Sequence, residues 1–175
     1  MSSCFRSTIV VALMCVGLMG CSASVSGGDA ATPDGIPDGA ERATVAHVHD
    51  GDTLFLQPEG THDRDEQIKV RLLGIDTPEL DPEECYGVDA RDELRSILPD
   101  GSAVWTLADA EPFDQYGRSL LYLWTDEGEF VNEALVAEGY ARVLIYEPNT
   151  RFETKLRMSE ADAENADSGL WSACA

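Results

Sequence analysis

Thr44-Val45-Ala46-His47-Val48-His49-Asp50-Gly51-Asp52-Thr53-Leu54-Phe55-Leu56 is the stretch that decides the fold. Residues alternate in strand fashion up to His49, Asp50-Gly51-Asp52 is turn chemistry, and Thr53 to Leu56 resumes as a second strand. A polar loop from Pro58 to Glu66 leads to a third strand, Ile68-Lys69-Val70-Arg71-Leu72-Leu73. Ala90, Leu94, Ile97 and Leu98 recur at helical spacing, and Pro99-Asp100-Gly101 ends that helix. Two more strands, Ala103 to Leu107 and Ser119 to Leu123, flank a loop holding Tyr116-Gly117-Arg118. Val131, Ala134 and Leu135 mark a short helix closed by Gly139. Phe152, Leu156, Ser159 and Ala163 form one face of a further helix, on which Glu153 and Arg157 make an i,i+4 pair. Periodicity therefore predicts an α+β domain with a closed or strongly curved sheet.

The turns between these elements carry chemistry. Asp52 ends the first turn, Arg71 lies in the third strand, Asp76-Thr77-Pro78-Glu79 follows it, and Arg118 closes the Asp114-Gln115-Tyr116-Gly117 loop. Each has a bland reading when taken singly: a hairpin aspartate, a strand exit fixed by proline, a solvated loop arginine. Together they supply the set that phosphodiester cleavage requires. Carboxylates hold a hard cation through oxygen, guanidinium forks grip phosphate, and one more carboxylate can deprotonate a water.

These motifs, with Val131-Asn132-Glu133-Ala134-Leu135-Val136, Tyr146-Glu147-Pro148-Asn149 and Ser159-Glu160-Ala161, resemble the staphylococcal (micrococcal) nuclease family and its thermonuclease-like domain. The resemblance runs from about Val45 to Trp171. It implies a five-stranded OB-fold barrel with three packed helices, a platform for nucleic-acid strands. Carried over by position, Asp52 and Asp76 would ligate Ca2+ with Thr77 adding its carbonyl, and Asp50 would be a weaker, water-mediated contributor. Arg71, Glu79 and Arg118 would be catalytic, Glu79 as general base, and Tyr116 and Tyr146 would meet the substrate. The implied activity is calcium-dependent hydrolysis of DNA and RNA, leaving 3′-phosphate ends. A second reading is a catalytically weak or inactive nucleic-acid-binding OB-fold module on a surface lipoprotein. The departures are Gln115 and Glu147 at positions where relatives carry lysine, Leu144 where relatives place an aromatic, and the short acidic segment Leu80 to Glu84. They bear on nucleotide affinity and leave the five site residues intact.

Residues 1–20 read as a signal peptide: Arg6 is the one charge, and the apolar run from Ile9 to Met19 is shorter than the about 20 residues of a membrane span. Leu18-Met19-Gly20-Cys21 resembles a lipobox, which would lipidate Cys21 and anchor the chain to a bacterial membrane; the alternative is a secretory signal cleaved near Ala23. Residues 21–42, rich in Ser, Gly, Ala, Pro and Asp, read as a disordered spacer, and 43–175 as the folded domain. No second apolar run is long enough to cross a membrane, and no protein partner is implied, so a monomer is expected.

In an exported chain Cys85 and Cys174 form an even pair, expected as a disulfide, with two unpaired thiols as the alternative. His47 and His49 share one strand face but lack a third zinc ligand nearby, so they read as surface residues. The net charge of −21 becomes −22 once residues 1–20, which hold Arg6 and no acid, are removed. Nucleic-acid binders usually carry a basic footprint, so any cationic site must be local.

Overall fold

The computed structural model describes residues 33–174. The expected signal peptide, the Cys21 lipidation site and the spacer as far as residue 32 lie outside the described residues. Seven strands are present: β1 Glu41–Val48, β2 Thr53–Pro58, β3 Ile68–Leu72, β4 Ile75–Asp76, β5 Ala103–Phe113, β6 Ser119–Thr125 and β7 Arg142–Val143. Five of them close a barrel in the order β1-β2-β3-β6-β5, with β5 returning to β1. All neighbours are antiparallel except β3 and β6, which run parallel through Val70–Ser119 and Leu72–Leu121.

Inward side chains fill the barrel: Val45, Leu54, Leu56, Val70, Leu72, Val104 and Leu123 are all buried. Burying such an aliphatic side chain contributes about 1.5–3 kcal/mol, so this alternation largely stabilises the sheet. Val45 and Val48 are both buried although they lie three apart. The register of β1 against β2 shifts between Val45 and His47, and that irregularity turns Val48 inward. His47 stays on the exposed face and stacks on Phe55 with ring centroids 4.4 Å apart.

Helices α1 (Gly87–Ile97), α2 (Val131–Ala137) and α3 (Glu153–Asn165) are those expected, followed by a single turn, α4 (Leu170–Ala173). Ala90 and Leu94 of α1, Val131 and Leu135 of α2, and Leu156 and Ala163 of α3 are buried. The i,i+4 pair on α3 forms, with Arg157 Nε 2.7 Å from Glu153 Oε1. Two features escape the periodicity. β4 and β7 are two-residue strands that pair only with each other. β5 continues six residues past Leu107, through a polar segment held by Asn149 rather than by burial: the Glu111 N–H donates to Asn149 Oδ1 at 2.8 Å, and Asn149 Nδ2 donates to the Glu111 carbonyl at 3.0 Å.

Residues 33–42, expected within the spacer, differ from that reading. Pro33 to Ala40 contains two turns, Ile36 and Ala40 pack against the core, and Glu41 and Arg42 already belong to β1. Ile36 is the one bulky apolar residue of that stretch, and it is the one that finds core to cover.

Cys85 and Cys174 are joined by a disulfide with their Cα atoms 5.8 Å apart, tying the segment before α1 to the end of α4. The two cysteines are 89 residues apart, and closing a loop of that size removes about 4–5 kcal/mol of unfolded-state entropy. Thermal unfolding of oxidised protein with and without reductant should therefore differ by about 10 °C. A Cys85→Ser variant should match the reduced protein and be insensitive to reductant.

Candidate active site

The β1–β2 turn is built by Asp50, whose Oδ1 accepts from the N–H groups of Asp52 (3.1 Å) and Thr53 (2.7 Å). Gly51 sits between the two acids because nothing larger fits: a Cβ there would lie 2.7 Å from Thr77 Oγ1 and 2.9 Å from Ala90 Cβ. This close approach brings Asp52 to Thr77, whose N–H and hydroxyl both donate to Asp52 Oδ2, at 2.9 and 3.1 Å. The turn after β3 needs Gly74, at φ +78°, where a Cβ would meet Leu156 Cδ1 at 2.6 Å. That turn folds the chain back so that Arg71 and Asp76 meet.

Arg71 is the hub. Its Nη1 donates to the carbonyls of Leu72 and Ile75 and lies 3.1 Å from Asp52 Oδ2, while its Nη2 lies 2.6 Å from Asp76 Oδ1. Asp52 is buried, and Asp76 is exposed. Burial pushes the Asp52 carboxyl up to about 6; Arg71 and the Thr77 N–H pull it back, while Asp50 and Asp76 push it further up.

Arg118 is held differently. Its Nε donates to Asp114 Oδ2 at 2.6 Å, and Asp114 Oδ1 accepts the N–H groups of Tyr116 and Arg118, each at 2.9 Å. Burial acts to raise the Asp114 carboxyl, but these donors outweigh it and bring it below its ordinary value. The Nη groups of Arg118 have no partner among the described residues, so four of its five N–H donors remain for a ligand.

Arg71, Asp76, Glu79, Tyr116, Arg118 and Tyr146 all line one groove of about 460 Å³. Asp52 and Thr77 do not line it; they meet behind Arg71. Glu79 is set by the acidic segment after it: its N–H donates to Glu84 Oε2 at 3.0 Å and its carbonyl accepts the Glu84 N–H at 2.8 Å. Its own carboxylate has no hydrogen-bond or ion-pair partner among the described residues and faces solvent. Gln115 and Glu147 also line the groove.

Two groups that shape the site carry no role in the sequence reading. Asp114 positions Arg118, a signal present in its i,i+4 spacing to the arginine within a glycine turn. Asn149 pins β5 beside the groove, and its partner is 38 residues distant, so no local signal could reveal it.

The model for staphylococcal nuclease homologues matches residues 69–173. The chain belongs to the staphylococcal nuclease family. It is 33% identical to a thermonuclease of Staphylococcus hyicus over 132 residues, which is 73% of this chain and 74% of the relative. A thermonuclease of Staphylococcus intermedius is 33% identical over 135 residues, 75% of this chain and 76% of its own length. Endonuclease YncB of Bacillus subtilis is 35% identical over 134 residues, 74% of this chain and 61% of that protein.

The family implies a metal, and the donor set can be tested against one. Two carboxylates share one guanidinium, and one of them is buried where ionisation is unfavourable. A hard divalent cation would relieve both, with Asp52 and Asp76 as ligands and water or phosphate oxygen filling the rest of the shell. Among the described residues no group of three or more His, Cys, Asp or Glu converges as a metal cage, so the protein would supply only part of that shell. The residues fit a loosely held, oxygen-seeking cation.

An acid whose folded pKa is raised binds more protons folded than unfolded between the two values, so stability is lost as pH rises through that window. For Asp52 the window runs from the ordinary 3.8 to about 6. Keeping it ionised at neutral pH costs on the order of 3 kcal/mol. In chelator, the melting temperature of the wild type should fall between pH 5 and pH 7 by several degrees more than that of Asp52→Asn. Parallel curves for the two proteins would show that Asp52 ionises freely.

Proposed function

We propose that this chain is an exported, calcium-dependent nuclease that hydrolyses phosphodiester bonds of DNA and RNA and leaves 3′-phosphate ends. The observation that carries this reading is the convergence of Arg71, Glu79, Arg118 and Asp76 on one groove. The relatives named thermonuclease and endonuclease support the reaction class. The apolar run ending in Met19-Gly20-Cys21 supports export with a lipid anchor.

Bound by Asp52, Asp76 and the Thr77 carbonyl, calcium would polarise a phosphoryl oxygen and fix the strand. Glu79 takes the proton of a water whose oxygen attacks phosphorus. The bond to the 5′-oxygen breaks, that oxygen leaves as a hydroxyl after gaining a proton from solvent, and the phosphate stays on the 3′ side. Arg71 and Arg118 bear the extra negative charge of the five-coordinate phosphorus, and arginine suits this because it offers paired donors and keeps its proton. The binding-module reading draws on a different fact: both guanidiniums are already held by aspartates. Phosphate must compete with those carboxylates for Arg71, whereas Arg118 needs only its unpaired Nη groups.

Degradation of single-stranded DNA in millimolar calcium separates the two. Wild type should cleave, and chelator should stop it. Glu79→Ala should lower kcat by about 10²- to 10⁴-fold, and Arg118→Ala by about 10²- to 10³-fold. Wild type and variants that are equally inert but still bind the strand would establish the binding module instead.

Net charge adds a second expectation. Added salt screens the −21 charge as well as the local arginines, so activity should be flat or rise before it falls. A steep monotonic loss from low salt, as counterion release gives a basic nuclease, would contradict it.

A further inference from the structure

Four large apolar or aromatic side chains are exposed among the described residues: Phe113 (61%), Tyr116 (77%), Tyr146 (62%) and Met158 (65%). Three of them, Phe113, Tyr116 and Tyr146, line the groove that holds Arg118. Phe113 has no aromatic partner among the described residues and sits outside the core. Scattered single hydrophobics need no explanation, but clustering at a cleft does. Phe113 directly precedes Asp114, the residue that fixes Arg118, and its ring lines the same groove as that guanidinium, which itself lies 5.8 Å from the centre of the Tyr116 ring.

The charges of the groove sharpen the point. Glu111 and Glu147 line it too, and they repel phosphates away from the two arginines. Little electrostatic affinity is left for the rest of a strand, so affinity must come from contacts that ignore charge. Stacking of bases on aromatic rings is such a contact, worth about 1–3 kcal/mol per base.

We propose that Phe113 is a nucleobase-stacking residue, which holds an unpaired base in the groove that also holds Arg118. The occupant is the substrate strand itself, because the ring lines the same groove as Arg71 and Arg118. This rests on the nuclease reading for its substrate but is tested by binding alone. No residue pattern marks it in the sequence: it follows Pro112 in the polar end of β5 and resembles a strand-end core residue until its exposure is seen.

The test uses the full exported domain with Glu79→Gln, so that strands are not cut, in millimolar calcium. The probes are a fluorescent thymidylate of about ten nucleotides, a length an OB-fold can engage, and an abasic strand with the same phosphates. Adding Phe113→Ala should weaken thymidylate binding about tenfold or more and leave the abasic strand unchanged, and Phe113→Trp should restore binding. An unchanged melting temperature checks that the exposed position is not structural.

Equal thymidylate binding with and without the ring overturns the proposal, as does a matching loss for the abasic strand. A change in sedimentation without a change in affinity assigns the patch to a second copy of the chain and also overturns it. If the strand binds with the expected Phe113 dependence but protein carrying Glu79 cuts nothing, the nuclease reading falls and the stacking role stands. If neither probe binds, both fall.

Discussion

The Arg71 guanidinium is the constraint on which the site rests. From the middle of the barrel it bonds to two backbone carbonyls and to two carboxylates, Asp52 from the β1–β2 turn and Asp76 from β4. Two aspartates placed this close repel each other, and one is buried where charge is poorly solvated. A planar cation with several fixed donors can satisfy both at once, which a lysine ammonium could not do in the same geometry. Removing one partner from such a buried pair typically costs about 3–5 kcal/mol, so the arginine holds two turns of the barrel together as well as serving the groove. Because of this dual commitment, a cation at the aspartates and a phosphate at the arginine would be linked events. Whatever neutralises Asp52 and Asp76 loosens their hold on Arg71.

Around that hub, polar side chains do work that apolar packing does elsewhere. Asn132, fully buried, accepts the Leu123 N–H and donates to the Leu73 carbonyl, which fixes α2 and β6 against the turn that carries Asp76. Asn149 and Asp114 do the same for the two sides of the groove. Each supplies side-chain partners to backbone groups on an irregular stretch of chain, as buried backbone polar groups require. The groove can therefore be polar and open without being loose.

A nuclease-family chain of net charge −21 with two arginines in one groove is less paradoxical than its composition implies. At physiological ionic strength the Debye length is about 8 Å, so acids on distant faces are hidden from a docked strand. Two guanidiniums lie within the groove, and exposed aromatic rings share it. Such an acidic surface would slow the approach of a polyanion and leave contacts at close range available. The acidic segment Leu80 to Glu84 has a local use as well, since Glu84 holds the backbone of Glu79 in place.

Much of this was legible in the sequence. Alternation and helical spacing located the five barrel strands and three helices, because those periods are local and reflect which face meets the core. Five polar residues stood out in the sequence as a set, because phosphodiester chemistry restricts residue types so narrowly, and four of them, Arg71, Asp76, Glu79 and Arg118, line one groove while Asp52 bonds to Arg71 outside it. What the tertiary structure alone decided are the long-range pairings. These are the parallel β3–β6 seam, the β4–β7 ribbon, the packing of Ile36 where a spacer was expected, and the partners of Asn132 and Asn149. Thr77 reaches Asp52 across 25 residues and Asn132 reaches Leu73 across 59. A sequence pattern records which face of an element is apolar. Which distant element satisfies a given polar atom is decided by barrel closure, because only then do the chain segments come within hydrogen-bond reach.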